Sequence, residues 1–257
     1  SSRKAMRPLM AAWDEEAIVA VALAQEAAGA DYIDVNCGTF TADEPERLAW
    51  LARIVSAKVT KPLCLDSPNP AALKAALAEV KQQPIINSIS AEKDRYETIL
   101  PLALAFNTKL IALTISDGQI PQTAEQRCQT GERLLMDLQA AGMQAADIYI
   151  DPLVQPLSVS DQGARMITET VYRLRQNHPD LHMVCGLSNI SFGLPNRKLI
   201  NRYFLAQLAG AGMDSFILDP TDQPLLGAYY AARALGGADP FCAKYLKAHR
   251  QGLFEER

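Results

Sequence analysis

Eight side chains of this 257-residue chain share one setting, in or at the end of a short apolar run. They are Asp34, Asn36, Asp66, Asn87, Ser116, Asp151, Asn189 and Asp219. An ionised carboxylate offers acceptors only, whereas an Asn amide offers an acceptor and donors together. A carboxylate that accepts two parallel N–H bonds, with amides beside it, suits the amidino edge of a nitrogen-rich heterocycle. The 2-amino-4-oxo ring of a pterin has such an edge. No run ends in His or Lys, so the set favours electrostatic positioning over direct proton transfer by a strong acid. Taken singly, an Asp or Asn at such a place often caps the next helix or fixes a turn. Seven run endings of this kind together are harder to assign to caps alone.

Other chemistries are disfavoured by placement. His178 and His182 precede or open a run, and His249 lies near the C-terminus, so a His-based metal centre is not expected. Lys61 and Lys109 sit at run starts, which disfavours a Schiff-base mechanism. No GxSxG, GxGxxG or GxxxxGK[ST] occurs, so neither a nucleophile elbow nor a phosphate loop is indicated. Asp34, Asp66, Asp151 and Asp219 are also the residue types that hold Mg²⁺, and a magnesium barrel enzyme stays open at this point. The five cysteines, Cys37, Cys64, Cys128, Cys185 and Cys242, are odd in number, far apart and without a CxxC. That argues against a disulfide framework and for a reducing, cytoplasmic setting. Cys64 and Cys185 lie inside apolar runs and read as small buried hydrophobes. Cys37 follows a run and reads as a spacer, with a lining role as the other possibility.

The elements that must position these residues are strands and helices in strict alternation. The runs span residues 31–36, 62–66, 84–88, 109–116, 147–151, 182–189 and 215–219. They recur about every 30 residues, the length of a βα unit. Being apolar throughout, they read as parallel strands covered on both faces. Amphipathic stretches fill the gaps at 14–28, 44–58, 70–80, 91–106, 123–141, 160–177 and 198–211, and two more follow at 223–235 and 240–249. Asp14 and Asn69 are N-cap candidates, Gly29 follows a helix end, and Pro45 and Pro70 suit first turns. An apolar strand, a polar ending, a turn and a helix, repeated, are how a (β/α)₈ TIM barrel builds its active-site face, and 257 residues fit one barrel. The pattern predicts a single domain over 1–257. Seven strands are one short of closure, and the chain opens on a helix-like segment at 3–12. The first strand is therefore expected upstream of Ser1. A doubly wound open sheet is the alternative.

Net charge −4 and a sequence pI near 5.5 argue against nucleic-acid binding, which needs a basic face. No apolar run reaches the length of a membrane span. Neither nucleic acid nor membrane is expected as a partner.

Four segments carry a recognisable pattern: 63–67 (Leu-Cys-Leu-Asp-Ser) with Asn69, 86–92 (Ile-Asn-Ser-Ile-Ser-Ala-Glu), 147–153 (Asp-Ile-Tyr-Ile-Asp-Pro-Leu), and 186–191 (Gly-Leu-Ser-Asn-Ile-Ser) followed by Asn196 and Arg197. Together they resemble the methyltetrahydrofolate:corrinoid-protein methyltransferases. That group includes the acetogen enzyme and the methyltransferase component of bacterial O-demethylases. The likeness runs from Asp31 to Asp219. Gly-Leu-Ser-Asn-x-Ser with Asn-Arg shortly after it is its most specific element.

The resemblance implies a pterin-binding TIM barrel, a homodimer, that moves a methyl group between N5 of tetrahydrofolate and the cobalt of a cobalamin-type corrinoid. The corrinoid would be carried by a partner protein, and this chain would bind no metal. By the same resemblance, Asp66 and Asn87 hold the pterin edge and Asp151 joins that polar network. Asn189 reaches N5, the atom that gives or takes the methyl. Ser188, Asn36 and Ser116 are assigned to substrate binding, and Arg197 to the site mouth, with Lys198 and Arg202 near it. Asn189 and Asp151 are the catalytic candidates. Family members begin with a strand bearing Gly-Glu-x-Ile-Asn, which agrees with the strand count. The stretch 192–195 (Phe-Gly-Leu-Pro) is less polar than its acetogen counterpart, so loop contacts there are expected to differ. No corrinoid-binding Asp-x-His-x-x-Gly motif is present. Two readings compete. A dihydropteroate synthase would need a late lysine and a Gly-Gly-x-Ser loop. A non-catalytic folate-binding or corrinoid-docking subunit could do without the Asn at N5.

Overall fold

The structure, a computed structural model, describes residues 2–116 and 118–254, with side chains from residue 5 on. The chain divides into two compact units, one of residues 1–89 and 93–111 and the other of residues 90–92 and 112–257.

The first unit opens with α1 (Ser2–Ala11) and α2 (Glu15–Ala27), followed by β1 (Ile33–Asn36), α3 (Glu44–Ser56), β2 (Leu63–Asp66) and α4 (Pro70–Leu77). It continues with β3 (Ile85–Ser90), α5 (Lys93–Ala105) and the start of β4 (Lys109–Leu113). The helix starts follow local chemistry. Asp14 caps α2 by accepting the Ala17 N–H at 3.1 Å. Asn69 caps α4 by accepting the Ala71 N–H at 3.0 Å, ahead of Pro70 in the first turn. Each cap satisfies a donor that the helix cannot use. β1 pairs with β2 and β2 with β3, all parallel. Leu63 and Leu65 of β2, Leu48 and Ala52 of α3, Leu73 and Ala76 of α4, and Ile86 of β3 are fully buried. Truncating one of the leucines to Ala costs about 2–5 kcal/mol in such a core.

The second unit holds the end of β4, then α6 (Ala124–Ala140), β5 (Ile148–Asp151), α7 (Gly163–Asn177) and β6 (His182–Gly186). A 3-10 turn (Leu187–Asn189) leads to α8 (Arg197–Ala211), β7 (Ser215–Ile217), α9 (Gln223–Leu235) and α10 (Ala243–Arg250). β5 pairs with β6 and β6 with β7, again parallel. Leu134, Leu138, Ile148, Ile150, Val171, Leu174, Met183, Leu205 and Leu208 form its core.

Three strands end earlier than expected, and each difference moves a candidate residue into a turn. β4 stops at Leu113 because the Ile115 N–H donates to the Leu113 carbonyl at 2.8 Å, a tight turn that ends the run. Ser116 therefore lies beyond the strand, in an isolated antiparallel bridge with Gln119. β6 stops at Gly186, where the chain enters the 3-10 turn that carries Ser188 and Asn189. β7 ends at Ile217, and Asp219 fixes the next turn by accepting the Thr221 N–H at 3.0 Å and its hydroxyl at 2.6 Å. Helices α4 and α7 are shorter than the sequence pattern suggests by about one turn at one end, and α5 by two residues at its start and one at its end. The strand expected before Ser1 lies outside the described residues. All five cysteines are free thiols, four of them buried and Cys242 exposed.

Candidate active site

In the first unit three of the expected residues stand side by side. Asn36 is in register with Asp66, and Asp66 with Asn87. Asn36 Nδ2 donates to Asp66 Oδ2 at 2.6 Å, while its Oδ1 accepts the Gly38 N–H at 3.0 Å. The amide is thus engaged at both ends, which fixes its orientation and directs one Asp66 oxygen. All three residues are half-buried. Asp34, two residues earlier on β1, is exposed. Behind them the Cys64 thiol is pushed up, first by burial and then by the charges of Asp34 and Asp66. Cys37 is buried too, with its thiol pushed up to about 12 by burial first, in keeping with a spacer.

The backbone around this trio is braced. The Ser67 N–H donates to the Asn87 carbonyl at 3.1 Å. The Ser67 hydroxyl donates to the buried Glu44 carboxylate at 2.6 Å and accepts the Asn69 N–H at 3.0 Å. Arg95, in the first turn of α5, donates to the carbonyls of Ser67 at 3.0 Å and Ser88 at 2.9 Å, and also to that of Pro68. The Asn87–Ser88 peptide is cis.

In the second unit Asp151 closes β5 and is 8% exposed. Its Oδ1 accepts the Leu153 N–H at 2.8 Å. Burial pushes its carboxyl up to about 7, against that hydrogen bond. A carboxyl removed from water favours its neutral form. The same charge, after burial, helps push up the thiol of Cys185.

Ser188 and Asn189 are exposed at the end of their turn. Ser188 is held from both sides. Its carbonyl accepts from Arg197 Nη2 at 2.7 Å, and its hydroxyl accepts from Asn201 Nδ2 at 3.0 Å. Arg197 Nε donates to the Ser191 hydroxyl at 3.1 Å, and the guanidinium lies 5.7 Å over the Phe192 ring. Asn196, with φ of 47°, turns the chain into α8 and puts Arg197 at its first position. The Asn189 amide folds back over Gly186, where a Cβ would come within 3.1 Å of its Nδ2. Lys198 pairs with Asp222 at 3.0 Å.

The structure thus brings together Asn36, Asp66 and Asn87 in one unit, and Ser188 with Arg197 in the other. Asp34 lies two residues before Asn36 on β1, and Ser116 and Asp219 lie in turns past the ends of β4 and β7. Reasoning from the sequence missed the bracing residues Glu44, Arg95 and Asn201. Each looks like an ordinary polar residue of an amphipathic helix, and only their burial and bonding set them apart. Among the described residues no three or more of His, Cys, Asp and Glu gather as a metal site would require. His182 is bonded to Asp214 at 2.7 Å and His178 lies 3.3 Å from Glu132. No helix of the described residues is long and apolar enough to cross a membrane.

Comparison with known proteins identifies the family and the fold. Residues 5–219 match the pattern of the family described as pterin binding enzyme. The chain is 39% identical to the methylcorrinoid:tetrahydrofolate methyltransferase of Eubacterium limosum, over 93% of this chain and 89% of that protein. It is 30% identical to methionine synthase of Mycobacterium tuberculosis over 84% of this chain, which spans only 19% of that larger protein. Among solved structures, dihydropteroate synthase of Stenotrophomonas maltophilia superposes with a TM-score of 0.68 at 17% identity, covering 87% of each chain. That likeness shows the fold, a pterin-binding TIM barrel rather than a doubly wound sheet. With the sequence matches beside it, the chain belongs to the pterin-binding enzymes and, among them, to the methyltetrahydrofolate:corrinoid-protein methyltransferases.

Proposed function

We propose that this chain, acting as one catalytic domain, moves a methyl group between N5 of tetrahydrofolate and the cobalt of a corrinoid held by a partner protein. The observation that carries the reading is the 39% identity to the Eubacterium limosum methyltransferase along nearly the full length of both chains. The donor set of the first unit fits the substrate. Asp66 offers a carboxylate already oriented by Asn36, and Asn87 beside it in register supplies an amide for the same pterin edge. The exposed Asn189 addresses N5, with Ser188 and Arg197 holding its turn. Ser116 contributes at the rim. The likeness to dihydropteroate synthases is one of fold and carries no activity.

A tertiary amine at N5 leaves poorly, so methyl transfer away from folate needs positive charge on N5 in the transition state. An Asn amide does not titrate near neutral pH, but its hydrogen bond stabilises N5 as the charge changes. Asp151, its carboxyl pushed up to about 7 by burial, is poised to hold or release a proton near neutral pH and passes it to N5 through water. Toward methyltetrahydrofolate the same groups run in reverse, with Asn189 aiming the N5 lone pair and Asp151 taking up the proton. The corrinoid, when docked, supplies the cobalt that gives or accepts the methyl. The protein would act in the cytoplasm, as a homodimer, without a metal of its own.

The test mixes the protein with tetrahydrofolate and methylcobalamin anaerobically, in EDTA, and follows the corrin spectrum. Folate-dependent loss of methylcobalamin with methyltetrahydrofolate as product is expected. Absence of both turnover and folate binding would overturn the reading. Binding without turnover would point to a binding subunit or to a strict need for the protein-bound corrinoid.

A further inference from the structure

The two residues assigned to the pterin edge sit on separate strands, and one side chain outside the site joins the backbone beside both. Arg95 donates through Nε to the Ser88 carbonyl at 2.9 Å and through Nη2 to the Ser67 carbonyl at 3.0 Å. It also donates through Nη1 to the Pro68 carbonyl. Ser67 follows Asp66, and Ser88 follows Asn87. The guanidinium therefore bridges the two backbone segments one residue past the register pair Asp66↔Asn87. The Ser67 N–H to the Asn87 carbonyl, at 3.1 Å, closes the same junction from the other side.

A planar guanidinium carries five donors in a fixed fork, whereas an ammonium is a single point of charge on a flexible stem. Three carbonyls from two segments are held at set spacing only by the fork. A carboxylate and an amide that must meet one flat ring lose affinity steeply when displaced by a fraction of an ångström, since hydrogen bonds weaken quickly with angle and distance. Arg95 has one further property that suits the role. It stands in the first turn of α5, an element anchored in the core by Ile99 and Ala103, both buried.

We propose that Arg95 is a positioning residue for folate, which fixes the mutual placement of Asp66 and Asn87 without touching the substrate. The proposal rests on the reading of Asp66 as a pterin ligand, and the test separates the two. Tetrahydrofolate binding is measured by calorimetry for wild type, Asp66→Asn, Arg95→Met and the double variant, with kcat and KM for folate where turnover is seen. Arg95→Met is expected to weaken folate binding about tenfold, to raise KM in step, and to leave kcat at saturating folate within threefold. In the Asp66→Asn background the same change is expected to weaken binding less than twofold, because its effect runs through Asp66. Arg95→Lys is expected to recover only part of the loss, and it stands in if Arg95→Met does not fold. Equal losses in both backgrounds, or no loss while Asp66→Asn binds poorly, would overturn the positioning role alone. Unchanged binding in Asp66→Asn would overturn the ligand reading and the proposal with it.

Discussion

The paired strands β2 and β3 and the end of β6 carry the two halves of the proposed chemistry, and they are built differently. At β2 and β3 the candidate ligands lie half-buried on paired strands, with Asp66 bonded to Asn36 and a guanidinium on three carbonyls behind them. At β6 the strand stops one turn early, and Asn189 sits exposed on a 3-10 turn held by backbone bonds and, through its neighbour Ser188, by the side chains of Arg197 and Asn201. A rigid ladder suits a group that must recognise a flat ring in one pose. A short turn at the strand end suits a group that meets a reacting atom, where a docking partner must also reach. The difference teaches that binding and methyl transfer should separate under mutation, with affinity governed from β2 and β3 and rate from β6.

The largest effect is expected at Asp66. Asp66→Ala removes the carboxylate and leaves the Asn36 amide without its 2.6 Å acceptor. A hydrogen bond to a charged group is worth about 1.5–3 kcal/mol, so folate affinity by calorimetry should fall between about tenfold and a hundredfold. Unchanged affinity would remove Asp66 from the site and dissolve the contrast. Next comes Asn189→Ala, which should slow methyl transfer at least tenfold at saturating folate, about 1.4 kcal/mol of barrier. A smaller change in folate affinity than in rate is the signature to look for. A variant that turns over at the wild-type rate would end the assignment of Asn189 to N5.

Two carboxylates at strand ends also differ in kind. Asp66 accepts from an amide at a half-buried edge, whereas Asp151 is enclosed and held up to about 7 by burial. An unfolded Asp ionises near 4. Between about pH 4 and 7 the native chain therefore keeps one proton more than the unfolded chain, and this carboxyl costs stability as pH rises through that range. The slope is up to roughly 1.4 kcal/mol per pH unit and levels off above the folded value. Replacing the carboxyl with an amide removes it. From pH 5 to 8, denaturant titrations should show Asp151→Asn gaining on wild type by roughly 2–3 kcal/mol. A constant gap would mean that Asp151 ionises normally. In the proposed mechanism activity follows the same proton. Transfer from methyltetrahydrofolate should fall as pH rises through 7, and transfer to tetrahydrofolate should rise.

Much of the fold was legible in the residues because its signals are local. Apolar runs, caps such as Asp14 and Asn69, and the Asp66 ending each follow from a few neighbouring side chains, whereas β3 runs on past Asn87 to Ser90. The ends of β4, β6 and β7 were read too long because Ile115, Leu187 and Leu218 continue the apolar pattern, while backbone turns decide where pairing stops. The bracing network escaped for a different reason. Glu44, Arg95 and Asn201 act on carbonyls and hydroxyls that lie on other elements, and helical periodicity marks them only as polar. The raised Asp151 carboxyl escaped as well, since enclosure is a property of the packed chain.

The smallest expected effect tests how finely the β6 turn is set. Gly186 lies beneath the Asn189 side chain, and a Cβ placed there would come within 3.1 Å of Nδ2. That is tighter than an ordinary contact, yet the obstructed group is a side-chain amide that can move by a few tenths of an ångström. Gly186→Ala should therefore fold, because its φ of −72° is open to alanine. The displaced amide would meet N5 at a poorer angle, and hydrogen bonds lose strength as they bend. We expect kcat for methyl transfer to fall about threefold, with folate affinity held by Asp66 and Asn87 close to wild type. A loss of affinity with kcat intact would show that the β6 turn contributes to binding rather than to rate. The division between the two regions would then have to be redrawn around Asn189.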